Sequence, residues 1–266
     1  MSGTRKSIGA ITILMAVFGG VVLLGTGAAA AATGLRQTGS QGGTVQADVQ
    51  GVTALDVDVR AAEVRVEFSS DDDEARLRIE GGSADGWKLR RDGDELQLRG
   101  PDRGFDWWQP DWLRGEERAV LVLPDELSGL DADLTLKAGS LDADGVFGEL
   151  DVDIDAGSLS LNGDAENLDV HLDAGRADID LDGVRTAEFT VNAGRIVSSL
   201  AVQPRTVAIG VSAGALDLTL PDADYDLQQR VSAGSLDSNL RQNDAGRSQI
   251  RATVSAGSVT LRASDG

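Results

Sequence analysis

The chain has 266 residues, with 44 acidic side chains against 24 Lys and Arg, 33 glycines, no cysteine and 4% aromatics. A formal charge of −20 has the wrong sign for neutralising nucleic-acid phosphates, and the missing cysteines exclude disulfide scaffolds, thiolate zinc sites, thiol nucleophiles and a lipidated N-terminal Cys. Hydrophobic residues make up 41% of the chain, enough to bury a core, so wholesale disorder is excluded as well.

Residues 1–34 stand apart. Arg5 and Lys6 precede an apolar run from Ile8 to Gly25, 18 residues long, and Thr26, Gly27 and five alanines follow. A basic start, an apolar run and a small-residue exit give two readings: a transmembrane anchor, or a signal peptide cleaved near Ala28 to Ala32. The run exceeds the ~7–15 residues of a typical signal core and approaches the ~20 of a spanning helix. The expectation is therefore a single-pass cell-membrane protein with its N-terminus inside and its bulk extracytoplasmic, with secretion after cleavage as the alternative. Without Arg5 and Lys6 the remainder carries 22 − 44 = −22. Residues 35–44 (LRQTGSQGGT) read as a flexible tether.

Residues 45–128 carry loose strand signals. Val52 to Phe68 alternates apolar and polar residues about a corner at Ala61-Ala62, and Ala75–Glu80, Trp87–Arg91, Glu95–Arg99 and Ala119–Leu123 are further strand candidates between Gly- and Asp-rich turns. This region reads as an N-terminal β cap and first coils of the structure that follows, with a separate β-sandwich as the alternative. Pro101 to Arg118 interrupts the pattern and holds Phe105, Trp107, Trp108 and Trp112. Large rigid rings in a loop are candidate partner-binding residues for a surface glycan or a protein; a lid over an open end of the fold is the competing reading.

Residues 129–266 are repetitive. Ala-Gly recurs with its glycine at Gly139, Gly157, Gly175, Gly194, Gly214, Gly234 and Gly257, in steps of 18, 18, 19, 20, 20 and 23 residues. A period near 20 indicates a solenoid. Three positions before each glycine stand Leu136, Ile154, Leu172, Val191, Val211, Val231 and Val254; two positions after stand Leu141, Leu159, Ala177, Ile196, Leu216, Leu236 and Val259. Polar residues alternate with them, the period of a strand with one buried face. Each repeat therefore reads as two short strands meeting at a corner, with the alanine turned inward and the glycine supplying φ > 0. No helix-period segment is long enough for a βαβ crossover, so coils are expected to stack in chain order, strand on parallel strand. The fold expected is all-β: a short, single-stranded, right-handed β-helix (β-solenoid) with looser N-terminal strands. Its last coil, Ile250 to Arg262, would then form an open edge guarded by Arg251 and Arg262.

Repeats such as LDVDIDAGSLSLNG and LDVHLDAGRADIDLDG, together with the N-terminal apolar segment, resemble the bacterial "putative adhesin" family of single-stranded β-helix proteins over about residues 50 to 266. The resemblance implies an architecture and an extracellular interaction role. It brings no catalytic residues.

Candidate chemistry is sparse. From Asp131 to Asp182 there are 15 acidic residues against Lys137 and Arg176, and outward carboxylates in successive coils would stack, Asp151 over Asp169 and Asp155 over Asp173. Like charges in register are destabilising, and hard oxygen ligands suit Ca²⁺, so Asp153, Asp155 and Asp173 are the candidate metal ligands. Their spacing matches neither the EF-hand nor the glycine-rich calcium nonapeptide, and a solvated acidic surface is the simpler reading. His171, the only histidine, reads as an exposed face residue. No catalytic constellation and no cofactor is implied. The function expected is a non-enzymatic cell-envelope protein, an adhesin or extracellular scaffold. A polysaccharide-active β-helix enzyme and an envelope sensor acting through a partner are the alternatives.

Overall fold

The computed structural model describes residues 42–81, 84–101 and 117–264. The proposed membrane segment, most of the tether, and Phe105, Trp107, Trp108 and Trp112 lie outside them. Among the described residues, no helix is long and apolar enough to cross a membrane.

The described chain is all-β, with twenty strands hydrogen-bonded into one mostly parallel sheet. The repeats build its centre, each coil having two arms. Strand β8 (Leu130–Leu136) is a first arm. Strand β9 (Gly139–Ile154) continues round the corner as the second arm of that coil and runs on into the first arm of the next, and β10 (Ser158–Leu172) does the same one coil later. Strands β11 (Arg176–Asp182), β12 (Thr186–Val191), β13 (Arg195–Leu200), β14 (Thr206–Val211) and β15 (Ala215–Leu220) add further arms.

Register follows the apolar alternation. Leu134, Val152, Val170, Phe189 and Ile209 form one inward column, and Leu141, Leu159, Ala177, Ile196 and Leu216 face it from the other arm. All ten are buried. A one-residue slip would turn every one of them to solvent, which fixes the pairing. Strands β2 (Ala54–Val59) and β3 (Ala62–Ser69) make a further coil in the same register, with Val57 on Leu134 and Val64 on Leu141. Ala62 takes the place of a corner glycine there.

At both ends the coils depart from chain order. Strands β6 (Glu95–Arg99) and β7 (Arg118–Pro124) pair with the outer edges of β2 and β3, and a 3-10 turn at Asp125–Leu127 carries the chain back to β8 on the inner side. Antiparallel strands β1 (Gly42–Ala47), β4 (Ala75–Glu80) and β5 (Lys88–Asp92) then close this end, β4 on β7, β1 on β4 and β5 on β6. They bury Leu77, Ile79 and Leu89, and Trp87 Nε1 donates to the buried Glu117 carboxylate at 2.7 Å.

The other end is a correction to the expected stacking. After β15 come β16 (Asp224–Val231), β17 (Ser235–Ser238) and the two-residue β18 (Arg241–Gln242); then β19 (Ser248–Val254) and β20 (Ser258–Ala263) return between β14–β15 and β16–β17. The coil Ile250 to Arg262 is thus interior, and the outermost coil is the one holding Gly234. Side-chain chemistry explains the exchange. From Ile250 to Leu261 the inward positions of β19 and β20 are apolar (Ile250, Ala252, Val254, Val259, Leu261), small Ser248 at the start of β19 being the buried exception, whereas β16 turns the long polar Gln229 toward the core, tolerable only where water is near.

The corners also differ from expectation. Ala156, Ala174, Ala193, Ala213, Ala233 and Ala256 are exposed: four residues separate the inward positions flanking each corner, so the Ala-Gly pair lies on the outside of the bend. Gly139, Gly157, Gly175 and Gly194 do have φ between 108° and 127°. Gly214, Gly234 and Gly257 do not share that conformation, and crowding alone requires glycine there. A Cβ on Gly214 would lie 2.8 Å from the Gly194 carbonyl oxygen, and those on Gly234 and Gly257 would strike the carbonyl of the neighbouring coil's glycine in the same way.

Candidate functional site

The first arms present one flat outer face. Because side chains alternate across a strand and the coils are in register, every second residue of β2, β8, β9, β10 and β12 falls into straight outward columns. The middle column is Asp56, Asp133, Asp151, Asp169 and Glu188, ordered across five coils. Beside it run Thr135, Asp153, His171 and Thr190, and at an irregularity in the β8–β9 register Asp131 accepts a hydrogen bond from the Glu149 backbone N–H at 2.8 Å. Parallel strands lie about 4.8 Å apart, so the first arms of four consecutive coils concentrate Asp131, Asp133, Glu149, Asp151, Asp153, Asp169 and Glu188. Those first arms contain no Lys or Arg.

The carboxyls feel one another. Asp133 is pushed up to about 6, first because neighbouring strands strip water from its carboxyl and then because Asp151, Asp56, Asp153 and Glu95 repel its charge. Asp169 is likewise pushed up to about 6 by desolvation and by Glu188, Asp151 and Asp153, with His171 opposing weakly. Asp151, between them, is raised by desolvation, Asp153 and Glu149, against a backbone hydrogen bond that lowers it. Glycine alignment reads this column directly: each member stands six positions before a corner glycine, or before Ala62 for Asp56. The pairing of Asp151 with Asp169 was legible that way; Asp56, Asp133 and Glu188 extend it, and Asp133 is the residue that sequence reasoning passed over.

The proposed calcium ligands are not brought together. Asp155 is held by Lys137 at 3.4 Å. Asp173 accepts from Asn192 at 2.7 Å and lies 3.2 Å from His171 Nε2, interactions that lower its pKa. Asp153 lies in the column with His171. Among the described residues no group of three or more His, Asp or Glu is arranged to hold a metal ion. His171 occupies the outward position between Asp153 and Thr190 that the repeat assigns it.

Ion pairs temper the acidity at the first coil of this face, where Asp56 meets Arg99 at 3.3 Å, and outside it. Glu63 is lowered chiefly by its hydrogen bond to Arg118, 2.7 Å away; Arg185 meets Glu166 at 2.7 Å, and Arg195 meets Asp217 at 3.1 Å. Two shallow surface grooves are present. One, of about 710 Å³, follows the Ala-Gly corners past Gly157, Gly175, Gly194, Arg176 and Arg195. The other, of about 610 Å³, lies by Asp222, Asp224, Arg241 and Asn243, whose polar groups bind one another.

The described chain is therefore an all-β, solenoid-like protein whose distinguishing surface is an acidic face on which, among the described residues, Asp133, Asp151, Asp169 and Glu188 form no ion pair and Asp56 forms one, to Arg99. No protein-family model and no curated protein sequence matches it. Among solved structures it is similar to a "putative cell adhesion protein" from Clostridium sporogenes ATCC 15579 (11% identity, 84% of this chain and 99% of that chain, TM-score 0.42). It is also similar to a "putative adhesin" from Bacteroides fragilis NCTC 9343 (13%, 84% and 98%, 0.44) and to a "putative lipid binding protein" from Parabacteroides distasonis ATCC 8503 (12%, 83% and 96%, 0.37). These likenesses are too distant to bear on function.

Proposed function

We propose that the chain is a non-enzymatic cell-envelope protein: a right-handed β-helix held outside the membrane by residues 1–34 and a short tether, displaying its acidic face to a partner. Residues 45–128 form its membrane-proximal cap, and residues 129–266 its display surface. The observation that carries this reading is the acidic face itself. Asp56 at its first coil meets Arg99, but Asp133, Asp151 and Asp169 are raised by desolvation and by the carboxylates around them, so they are costly to the protein and are retained for something outside it. Coil connections of a few residues leave no deep cleft among the described residues, which favours a surface that binds over one that catalyses.

The test is a binding screen of the full chain in mild detergent against envelope glycans, cell-wall fragments and basic proteins, with and without Ca²⁺. Binding that weakens in Asp133→Asn/Asp169→Asn supports the reading; turnover of a polysaccharide without retention on any surface overturns it. Phe105, Trp107, Trp108 and Trp112 are proposed as a second contact, tested in the same screen by Trp107→Ala and Trp108→Ala.

A further inference from the structure

The two ends of the sheet are treated differently. At the N-terminal end β1, β4 and β5 cover the outermost parallel coil. At the C-terminal end β16 has β19 on one side and only β18 on the other, reaching no further than Asp224 and Tyr225, and β17 pairs with β20 alone. Residues 226–231 therefore present an unpaired strand edge. The core is open at this place. Val231 is 41% exposed where its column neighbours Val254 and Val211 are 0% and 2% exposed, and Leu227 and Leu236 are only partly buried.

Charge is withdrawn from the same end. Residues 131–182 hold 15 acids and 2 bases, whereas residues 221–264 hold five acids (Asp222, Asp224, Asp226, Asp237, Asp244) and five arginines (Arg230, Arg241, Arg247, Arg251, Arg262). An acidic body with a neutral tip can meet another copy of itself at the tip without like-charge repulsion.

From this geometry we propose that β16 is a self-association edge, pairing antiparallel with β16 of a second copy about a two-fold axis at Gln229. Pleating restricts the register, because inward residues must lie opposite inward residues, so paired residue numbers must sum to an even value. A sum of 456 sets Val231 against Tyr225, whose outer edge Gln242 already occupies. A sum of 458 sets only Ala233, past the end of β16 at the corner, against Tyr225, so every pair within the strand is clear of β18. It places Leu227 opposite the second copy's Val231 on the core side, Gln229 opposite itself, and Asp226 and Gln228 opposite Ser232 and Arg230 on the outer side. The apolar pair covers the exposed core residues, the facing Gln229 amides can satisfy each other, and no like charges are opposed. The pairing sends the two β1 strands to opposite ends of the dimer. Combined with the outward display proposed above, on which this one step rests, that geometry joins copies on two apposed membranes.

The absence of cysteine makes the test direct. Full-length Gln229→Cys in mild detergent places a sole thiol on the two-fold axis and is expected to give a disulfide-linked dimer under gentle oxidation, while Thr253→Cys, on the covered strand β19, stays monomeric. Adding Val231→Lys to Gln229→Cys should cut the cross-linked fraction by about tenfold or more, because the new charge must enter the paired strip; the melting temperature, little changed because Val231 is already exposed, shows that the fold is intact. Equal cross-linking by Thr253→Cys, no dimer from Gln229→Cys, or capture of only a foreign chain at this edge overturns self-pairing. Vesicles bearing the full chain separate the two readings. If Gln229→Cys cross-links in detergent but vesicles fail to cluster, outward display falls and edge pairing stands.

Discussion

Replacing Asp133 by Asn removes a charge without changing shape, and the acidic column predicts that this substitution stabilises the protein. Moving a carboxyl from its ordinary 3.8 to about 6 corresponds to roughly 3 kcal/mol at 1.36 kcal/mol per pKa unit. Asp133 is exposed on its outer side, so solvent screening leaves about 1 kcal/mol at neutral pH. Asp169→Asn carries the same expectation, and the double variant should gain less than twice as much if the two charges act through Asp151. The sign of the pH dependence follows from linkage. Above about pH 6 both carboxyls are ionised in folded and unfolded chains and the repulsion is fully present. As pH falls from about 6 toward 3.8 only the folded chain takes up the protons, so stability rises. Urea denaturation at pH 7 and pH 5 reads this directly: the wild-type midpoint should increase on acidification, the double variant's should move less, and added NaCl should shrink the difference at pH 7. A wild-type midpoint that falls between pH 7 and 5, or a destabilised Asp133→Asn at pH 7, would refute the reasoning.

Three further outcomes test the architecture. Gly175→Ala forces a side chain into a φ of 120° and against the Gly157 carbonyl, so it should cost at least ~2 kcal/mol, while Ser158→Ala on the open face should be near neutral by the same denaturation assay. Ser198 is 1% exposed and its hydroxyl has no hydrogen-bond partner; Ser198→Ala should stabilise by about 1 kcal/mol, and a loss of stability would show that the hydroxyl is satisfied. The exchanged coil order is read by engineered disulfides. Ala208→Cys/Arg251→Cys, partners across β14 and β19, should close within one chain, whereas Ala208→Cys/Gln228→Cys, which chain-order stacking would make neighbours, should not.

Much of this fold is legible as a pattern because a solenoid repeats one local solution. Alternation alone places Leu134, Val152 and Val170 inward and their carboxylate neighbours outward, and the Ala-Gly corners set the frame that brings Asp151 against Asp169. What the pattern does not carry is the order of the coils. Steps of 20 and 23 residues look like slightly longer turns of the same spiral, yet the extra residues 239–247 take the chain back past its own last coil. The signal lay in inward chemistry rather than spacing: Gln229 marks an end coil, and the unbroken apolar set from Ile250 to Leu261 an interior one. Corner alanines misled for a related reason. A small residue suits either a crowded core or a tight outer bend, and only counting the four residues between flanking inward positions distinguishes them.

The candidate face was half visible for the same cause. Register turns separate sequence segments into one column, so a carboxylate such as Asp133 is shifted first by the strands that strip water from it, then by Asp151, and then by Asp56, which stands 77 positions earlier and is brought beside it by the return of β8 onto β2. Composition located the acidity in residues 131–182 but could not say that Asp133, Asp151 and Asp169 would crowd together on one face while Lys137 and Arg185 balance Asp155 and Glu166 elsewhere. That division has a physical consequence along the sheet. A uniformly acidic solenoid would repel its own copies at every point, whereas one that keeps its uncompensated carboxylates on the central coils and neutralises the last two confines self-contact to the open edge of β16. The same distribution makes ionic strength a discriminating variable. Binding to the acidic face should weaken as salt rises, while edge pairing through Leu227, Gln229 and Val231 should not.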